Sequence, residues 1–324
     1  MLKKIARSVA WILVACAAST AGAQYPDKVI TMIVPFAGGG PTDTIARILA
    51  QAMSAALKQR IVIENVGGAG GTIGAARVAQ SAPDGYTLLV HHIGHSVASA
   101  LYRKLPYDPI ADFEPIGLIN DGAQTFVARD DFPASNFKEY LDYIKANKDR
   151  VNMANAGIGS ASHLCGLLFM SSIETEVMTI PYKGTGPAMN DLLGGAVDIM
   201  CDQSANAISH IKSGKIKVYA VTLPNRLASL RDVPTAAEAG LAGFSISVWH
   251  ALYAPKDTPQ PIIEQLTVAL QTALKDANLK QRYSDLGAEA VSENRATPEA
   301  LTRQLKSEID RWEPIIKKIK GYAG

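Results

Sequence analysis

Hydrophobic positions alternate between two spacings along most of the chain. Short β-branched and apolar runs at residues 28–35, 61–65 and 86–91 predict buried strands. Between the first two runs, over residues 43–57, apolar side chains recur every three or four positions, which predicts an amphipathic helix. Such alternation of strand and helix favours an α/β protein with parallel sheets flanked by helices.

The same pattern extends towards the C-terminus. Further strands are predicted at residues 116–120, 125–128, 151–155, 177–182, 197–201, 216–222 and 246–253. Further helices are predicted at residues 71–81, 136–147, 160–172, 188–193 and 262–275. A last helix opens at Thr297-Pro298, a cap followed by a first-turn proline, and Pro314 is expected to bend it.

The N-terminal segment, residues 1–23, has the three parts of a secretory signal peptide. A basic start without acidic residues precedes an apolar run at residues 8–20, and Ala21-Gly22-Ala23 forms a small-x-small cleavage site. The run is too short to span a membrane stably. The alternative is a lipoprotein signal in which Cys16 is acylated; we prefer cleavage after Ala23. Either way we predict a periplasmic protein.

Composition excludes several classes of protein. The chain has 324 residues, 48% of them hydrophobic, which contradicts disorder and is enough for two domains at roughly 100–200 residues each. Without the three basic residues of the signal segment, the formal charge falls from +2 to −1. That balance gives no electrostatic basis for binding nucleic acid. Three cysteines cannot form a disulfide scaffold or a four-cysteine zinc site.

The first of three glycine-rich turns is Gly38-Gly39-Gly40, between the strand at 28–35 and the helix at 43–57. Glycines let the backbone approach a ligand, and a helix start offers unpaired N–H groups, so the turn suits an anion. Pro41 fits the first helical position, which leaves Thr42 and Asp43 as amide donors. The absence of a following Gly-Lys-Ser/Thr rules out a Walker loop, and a plain connector is the alternative.

The second turn, residues 67–74, has the spacing of a dinucleotide-binding variant at Gly68, Gly70 and Gly74. The preceding strand is not the first of its sheet, and no acidic residue ends a strand about twenty positions later. We therefore predict no nucleotide and no other cofactor.

The third turn contains Gly157 and Gly159 and leads from a strand into a helix. Ser160 and Ser162, with His163, suggest nucleophilic catalysis, but the Gly-x-Ser-x-Gly elbow is absent. Serine at a helix start is more often a cap, and its hydroxyl can contact a ligand. We predict ligand contact, with an exported hydrolase as the alternative.

These two strand-to-helix turns, about 120 residues apart, suggest a ligand held between two lobes. Backbone amides and hydroxyls satisfy a carboxylate without a buried countercharge. His91 and His92 follow the third strand and are predicted to donate to an oxygen-rich ligand. With His95 they also suggest a metal, but Gly94 is expected to interrupt any helix there, and we predict none.

Several motifs, each weak alone, occur in one order along nearly the whole chain. They include Val34-Pro35-Phe36-Ala37-Gly38-Gly39, Gly68-Ala69-Gly70-Gly71-Thr72-Ile73-Gly74, Ala82-Pro83-Asp84-Gly85-Tyr86, Leu105-Pro106-Tyr107-Asp108-Pro109, Pro181-Tyr182-Lys183-Gly184 and Asp232-Val233-Pro234-Thr235. In this order they resemble the receptors of the tripartite tricarboxylate transporter system, the Bug (TctC-like) family.

The resemblance implies a two-lobed periplasmic binding protein of the Venus-flytrap type, with two parallel or mixed sheets flanked by helices and a cleft between the lobes. Lobe 1 would comprise residues 24–121 and 250–324, and lobe 2 residues 122–249. The ligand, a small carboxylate, would pass to two integral membrane subunits without chemical change, and a monomer is expected. The resulting ligand-binding set is Phe36, Ala37, Gly38, Gly40, Thr42, His91, His92, Gly157, Gly159, Ser160, Ser162, Tyr182, Asp202 and Gln203.

The sequence departs from the family pattern in places that affect the ligand. Pro41 removes one amide donor, and His91-His92 replaces small residues, which favours an aromatic mono- or dicarboxylate. Cys165 and Cys201 are also unusual; we expect two separately buried thiols, although an oxidising compartment would let them pair. Sequence does not separate a transport receptor from one that signals to a membrane kinase.

Overall fold

The computed structural model describes residues 25–318. The strands are β1 (Ile30–Val34), β2 (Ile61–Asn65), β3 (Thr87–His92), β4 (Phe113–Arg129), β5 (Asn152–Asn155), β6 (Met178–Pro181), β7 (Ile199–Gln203), β8 (Ile216–Val221), β9 (Ser247–Pro255) and β10 (Ala288–Ala290). The helices are α1 (Pro41–Leu57), α2 (Thr72–Ala79), α3 (Gly94–Leu101), α4 (Phe137–Ala146), α5 (Ala161–Ile173), α6 (Thr185–Leu193), α7 (Ser204–Lys212), α8 (Gln260–Lys275), α9 (Ala277–Asp285) and α10 (Pro298–Lys318). The predicted α/β alternation is confirmed.

The strands form a mixed sheet in the order β2-β1-β3-β9-β4-β7-β5-β6, and β8 and β10 also pair with β4. Parallel pairs lie towards its two ends: β1 with β2 and β3, and β5 with β6 and β7. Between them β9 pairs antiparallel with both β3 and β4. Each half is therefore a parallel unit with its own carboxyl edge, and long antiparallel strands join the two.

Strand β4 connects the two halves. Its residues from Phe113 to Ala123 pair with β9, and those from Gln124 or Thr125 onwards pair with β7 and β8. The sequence predicts two strands here, which is wrong. Polar Asp121 and the glycine after it, Gly122, interrupt the apolar pattern, but their backbones stay paired with both β9 and β10.

The sequence misses α3, α7 and α9, and its expectation that Gly94 interrupts a helix is wrong, because α3 begins at that residue. Gly94 occupies the first helical position, where the loss of helix propensity matters least, and six of the eight residues of the helix are buried. Tertiary packing, rather than local helix propensity, therefore makes this segment helical.

Cys165 on α5 and Cys201 on β7 form a disulfide, which overturns the expectation of two separate thiols. Helix α5 packs directly on β7 and brings the two Cα atoms to 6.0 Å, a separation that a disulfide requires. The bond links a helix to a strand inside the half that contains β5, β6 and β7.

The predicted signal peptide, with Cys16, lies outside the described residues, as does the end of the chain from residue 319. Among residues 25–318, no helix is both long and apolar enough to cross a bilayer.

Candidate functional site

The carboxyl ends of the parallel strands of the two halves face each other across a cleft. The turn after β1 leads into α1, and the turn after β5 leads into α5. Lys183 and Gly184, between β6 and α6, touch Ala37 of the opposite half. In open α/β sheets, ligands bind outside the carboxyl ends of the strands, so this cleft is the candidate site.

A small cavity of about 10 Å³ lies where these turns meet, with room for about one water molecule. Six of the predicted binding residues line it: Phe36, Gly40, Thr42, His92, Ser162 and Gln203. Pro41, Ala156, Ala161 and Thr185 complete the lining. None of these ten residues is a lysine, arginine, aspartate or glutamate, so the polar groups of the wall are hydroxyls, amides and one imidazole.

One wall of the cavity is the start of α1. Thr42 is 2% exposed, and its Oγ1 lies 3.2 Å from Nε2 of His250 on β9. Asp43 shapes the turn: its carboxylate accepts the Gly39 N–H at 3.0 Å and pairs with Arg47 at 2.9 Å. Burial raises the pKa of Asp43, but hydrogen bonds from Arg47, Gly39 and Asn65 outweigh it, and the pKa ends below its ordinary value.

The opposite wall is the start of α5. Ser160 is the N-cap, and its side chain accepts the His163 N–H at 3.3 Å. The Ser162 hydroxyl accepts the Ala156 N–H at 2.8 Å and lies 3.1 Å from the Ser160 hydroxyl. The Ser162 proton therefore points either at Ser160 or into the cavity.

The backbone N–H groups of three predicted contact residues, two glycines and one alanine, form hydrogen bonds within the protein. The Ala37 N–H donates to the Lys183 carbonyl, the Gly157 N–H to the Asn155 side chain, and the Gly159 N–H to Nδ1 of His163. None of the three lines the cavity, and neither does Gly38. Their contact with a ligand stays a prediction.

The predicted histidine cluster is buried at the end of β3. His92 stacks on Phe36 with ring centroids 4.6 Å apart, and it lines the cavity. His91 and His95 lie behind it, and His91 Nδ1 accepts the His92 N–H at 2.8 Å. Burial lowers the pKa of His92 to about 3 and that of His95 to about 4, so these rings are neutral. In residues 25–318, no group of three His, Cys, Asp or Glu side chains is placed to hold a metal.

The remaining predicted residues lie at different depths. Asp202 is fully buried beside Gln203, and burial raises the pKa of its carboxyl to about 7 against the hydrogen bonds it accepts. Tyr182 lies on the outer rim, where its hydroxyl donates to Asp191 at 2.6 Å. Sequence reasoning did not select Thr185 or His250. Thr185 could have been selected, because a hydroxyl at the start of a helix is visible in the local sequence. His250 could not, because the pairing of β9 with β3 is what brings it next to the site.

The second glycine-rich turn packs against the opposite half of the cleft. A Cβ added to Gly70 would lie 1.8 Å from the Ile158 carbonyl oxygen, so only glycine allows this approach. Tyr102 also crosses the cleft and donates its hydroxyl to that carbonyl at 2.7 Å. Gly67, Gly70 and Gly157 thus form a contact surface between the two halves.

Comparison with known proteins places this geometry among solute receptors. Residues 45–320 match the family described as tripartite tricarboxylate transporter family receptor. The chain is 46% identical over 295 residues to the UPF0065 protein of the TAR-I ttuE–ttuC' intergenic region of Agrobacterium vitis, covering 91% of this chain and 85% of that protein.

Two solved structures are similar over almost their full length. The periplasmic binding protein BugD is 49% identical, with a TM-score of 0.89 and coverage of 91% of this chain and 98% of that one. MatC from Rhodopseudomonas palustris, solved with bound malate, is 42% identical, with a TM-score of 0.87 and coverage of 90% and 100%.

Proposed function

The chain belongs to the tripartite tricarboxylate transporter receptor family, a family of periplasmic solute-binding proteins, and from this premise we propose that it captures a small carboxylate and delivers it to two membrane subunits. The observation that carries the proposal is the meeting of two glycine-rich strand-to-helix turns at one cavity. Thr42 at the start of α1 and Ser162 at the start of α5 bring hydroxyls and helix N-termini to the same point. Such groups bind an anion without a cation.

The malate bound to MatC supports a small carboxylate for this chain as well. The wall formed by Phe36 and His92 presents stacked rings to the cavity, which also suits an aromatic mono- or dicarboxylate. A neutral His92 can donate one N–H to a carboxylate oxygen.

Any such ligand is larger than the cavity, so binding requires the halves to separate and close again. We propose that the moving units are residues 24–121 with 250–324 and residues 122–249, joined by β4 and β9. Trp249 lies on β9 at this junction, 1% exposed, so its fluorescence is a suitable reporter of closure.

The geometry gives little support to the alternative of a hydrolase. The contact between Ser160 and His163 uses the backbone N–H of the histidine, and Nδ1 of its ring accepts the Gly159 N–H. Burial lowers the pKa of His163 to about 4, which makes it a poor base near neutral pH.

A thermal-shift screen against about fifty carboxylates tests the proposal; a ligand at ~100-fold its Kd should stabilise the protein by about 2.7 kcal/mol. The mature chain should show a shift with at least one carboxylate, with a change in Trp249 fluorescence and no product. Thr42→Val and Ser162→Ala should weaken that binding.

Thr272→Val, which removes a hydroxyl on the outer surface of α8, is the matched control and should leave binding unchanged. If no carboxylate stabilises the protein, or if product forms and is lost in Ser160→Ala, the receptor proposal is wrong.

A further inference from the structure

The Cys165–Cys201 disulfide joins the two elements that carry one side of the cavity. Along α5, Cys165 comes three residues after cavity-lining Ser162, and along β7, Cys201 comes two residues before cavity-lining Gln203. Residues three apart share one face of a helix, and residues two apart share one face of a strand. The bond therefore joins the faces that present Ser162 and Gln203, about 4.5 Å further along the axis of α5.

The hydrogen bonds around the start of α5 shape the turn without fixing where the helix stands on the sheet. The Ala156 N–H donates to the Ser162 hydroxyl at 2.8 Å, six residues later, so this bond can move together with the helix. Gln124 of β4 ties the helix to the sheet through its Nε2, which donates to the Ala161 carbonyl at 3.1 Å. A single hydrogen bond of this kind still leaves the helix free to turn about its own axis.

The composition of α5 does not set its rotation either. Nine of its thirteen residues are buried, so it lacks the broad polar face that orients an amphipathic helix towards water. A Cβ added to Gly166 would lie 2.8 Å from the Sδ of Met153, and methionine is a flexible side chain that adapts to its neighbours. The disulfide, which holds the Cα atoms of Cys165 and Cys201 6.0 Å apart, is a stricter constraint.

We propose that the Cys165–Cys201 disulfide is a positioning element of the ligand site, which holds the Ser162 hydroxyl at the start of α5 in place opposite Gln203. The inference rests on the proposed receptor function and adds how its site is held together. One hydrogen bond at the site is worth about tenfold in affinity, so loss of the link should weaken binding by about that factor.

Breaking the bond without removing its atoms separates the link from packing. Dithiothreitol, applied in urea and kept through refolding because the bond is buried, cleaves the S–S bond. It supplies two electrons and two protons, so two thiols form and the reductant closes to a cyclic disulfide. The double change Cys165→Ala with Cys201→Ala removes the bond and the sulfur atoms together.

Calorimetry on the chain without residues 1–23 then compares the oxidised, reduced and double-alanine forms. The probes are malate, phenylacetate and the acid that gives the largest shift in the screen. The reduced and double-alanine forms should both bind about tenfold more weakly than the oxidised form, because both lack the link.

Ile144→Ala is the control for a general loss of stability. Ile144 is fully buried on α4, which packs on β8, and it is not among the cavity-lining residues. Truncation of a buried isoleucine destabilises a protein about as much as loss of a disulfide does. Its affinity for the same acids should nevertheless stay within about twofold of the oxidised wild type.

Hydrogen exchange measures the position of the turn without any ligand. The amides of residues 156–164 should exchange at least about tenfold faster in the reduced and double-alanine forms than in Ile144→Ala, because only the first two release the start of α5. Equal exchange of this segment in the three forms overturns the inference.

Equal affinities of the oxidised and reduced forms also overturn it, since packing of the sulfur atoms would then explain any defect of the double-alanine form. A loss of affinity shared by Ile144→Ala overturns it as well. If no carboxylate in the screen binds, the receptor function is wrong, and the exchange of residues 156–164 still decides whether the link holds the turn.

Discussion

Five buried histidines make the stability of this protein sensitive to acid. His91, His92, His95, His163 and His250 are each at most 2% exposed. Burial lowers the pKa of every one of them, to about 3 for His92 and about 4 for His95 and His163. In the unfolded chain a histidine titrates near 6.5.

We predict that the free energy of unfolding decreases as the pH falls below about 6.5. Below that pH the histidines bind protons in the unfolded state but stay neutral in the folded state. Each histidine therefore lowers the free energy of unfolding by up to ~1.4 kcal/mol per pH unit until its folded-state pKa is reached. Asp202 and Glu308 act in the opposite direction, because burial raises the pKa of both carboxyls in the folded state, that of Asp202 to about 7, but they are two groups against five buried histidines.

Urea unfolding at pH 5.5 and pH 7.5 measures the effect. His95→Gln should show a smaller difference between the two pH values. His210 on α7 is only half-buried, and burial together with Lys215 lowers its pKa, so His210→Gln should reduce the difference less than His95→Gln does. Equal stability of the wild type at both pH values contradicts the prediction.

How far sequence predicts the site depends on whether the signal is local. Thr42 and Ser162 were predicted because each follows a glycine-rich turn at a helix start, and both line the cavity. His250 was missed because its place beside Thr42 follows from the register of β9 against β3, where it pairs with His92. The residues next to His250 in the sequence do not indicate this pairing, because it depends on a strand far away in the chain.

Among the elements, the second glycine-rich turn controls how closely the halves approach. Gly70 has φ +61°, and an added Cβ would collide with the Ile158 carbonyl oxygen at 1.8 Å. We predict that Gly70→Ala weakens binding of the carboxylate found in the screen at least tenfold, because the closed form is blocked, while the separated lobes stay folded.

Gly195→Ala is a matched control for the backbone strain. Gly195 also has a positive φ, +75°, but nothing lies within 4 Å of an added Cβ. Both variants should lose about 1–2 kcal/mol of stability from the strained backbone, and only Gly70→Ala should lose affinity. Calorimetry showing the same affinity for the two variants would contradict the proposed contact surface.

The link between α5 and β7 should add stability to its half of the molecule. The Cys165–Cys201 disulfide closes a loop with a sequence separation of 36 residues, for which the chain-entropy estimate is about 4 kcal/mol. We predict that a reductant, or the double change Cys165→Ala with Cys201→Ala, lowers the urea midpoint.

The mass of the unreduced protein and labelling of its thiols provide the check. A chain that lacks residues 1–23, the predicted signal peptide, should contain no reactive thiol, and reduction should expose two. Free thiols in the unreduced protein, or an unchanged midpoint after reduction, contradict the prediction. Ser171→Ala, on the exposed side of α5, serves as a control for changes to that helix.

At the scale of the whole molecule, the sequence predicts the class of fold more easily than its connections. Alternating periodicity identifies strands and helices because each half is a parallel unit. The sequence does not predict the continuity of β4 through Asp121 and Gly122, since pairing with β9 and β10 is what keeps this polar residue and this glycine in a strand. That strand is also what makes the two halves one sheet.

The net charge of the molecule also bears on how an anionic ligand is captured. Without residues 1–23, the predicted signal peptide, the chain has a formal charge of −1, so it exerts no general attraction on an anion. The ten cavity-lining residues include no lysine, arginine, aspartate or glutamate, and Arg47 of the nearby helix α1 is paired with Asp43. Capture of a carboxylate then depends on hydrogen bonds from neutral groups, which act at short range.

We therefore predict that affinity for the carboxylate is nearly independent of salt, changing by less than about twofold between roughly 0.05 and 0.5 M sodium chloride, because screening acts on charge pairs rather than on short hydrogen bonds. Calorimetry across this range measures it. Introducing a cation at the cavity, as in Gln203→Lys, should create a salt dependence and is the positive control. A wild-type affinity that falls steeply with salt would show that a cation binds the ligand, and would overturn the account of neutral recognition at the two glycine-rich turns.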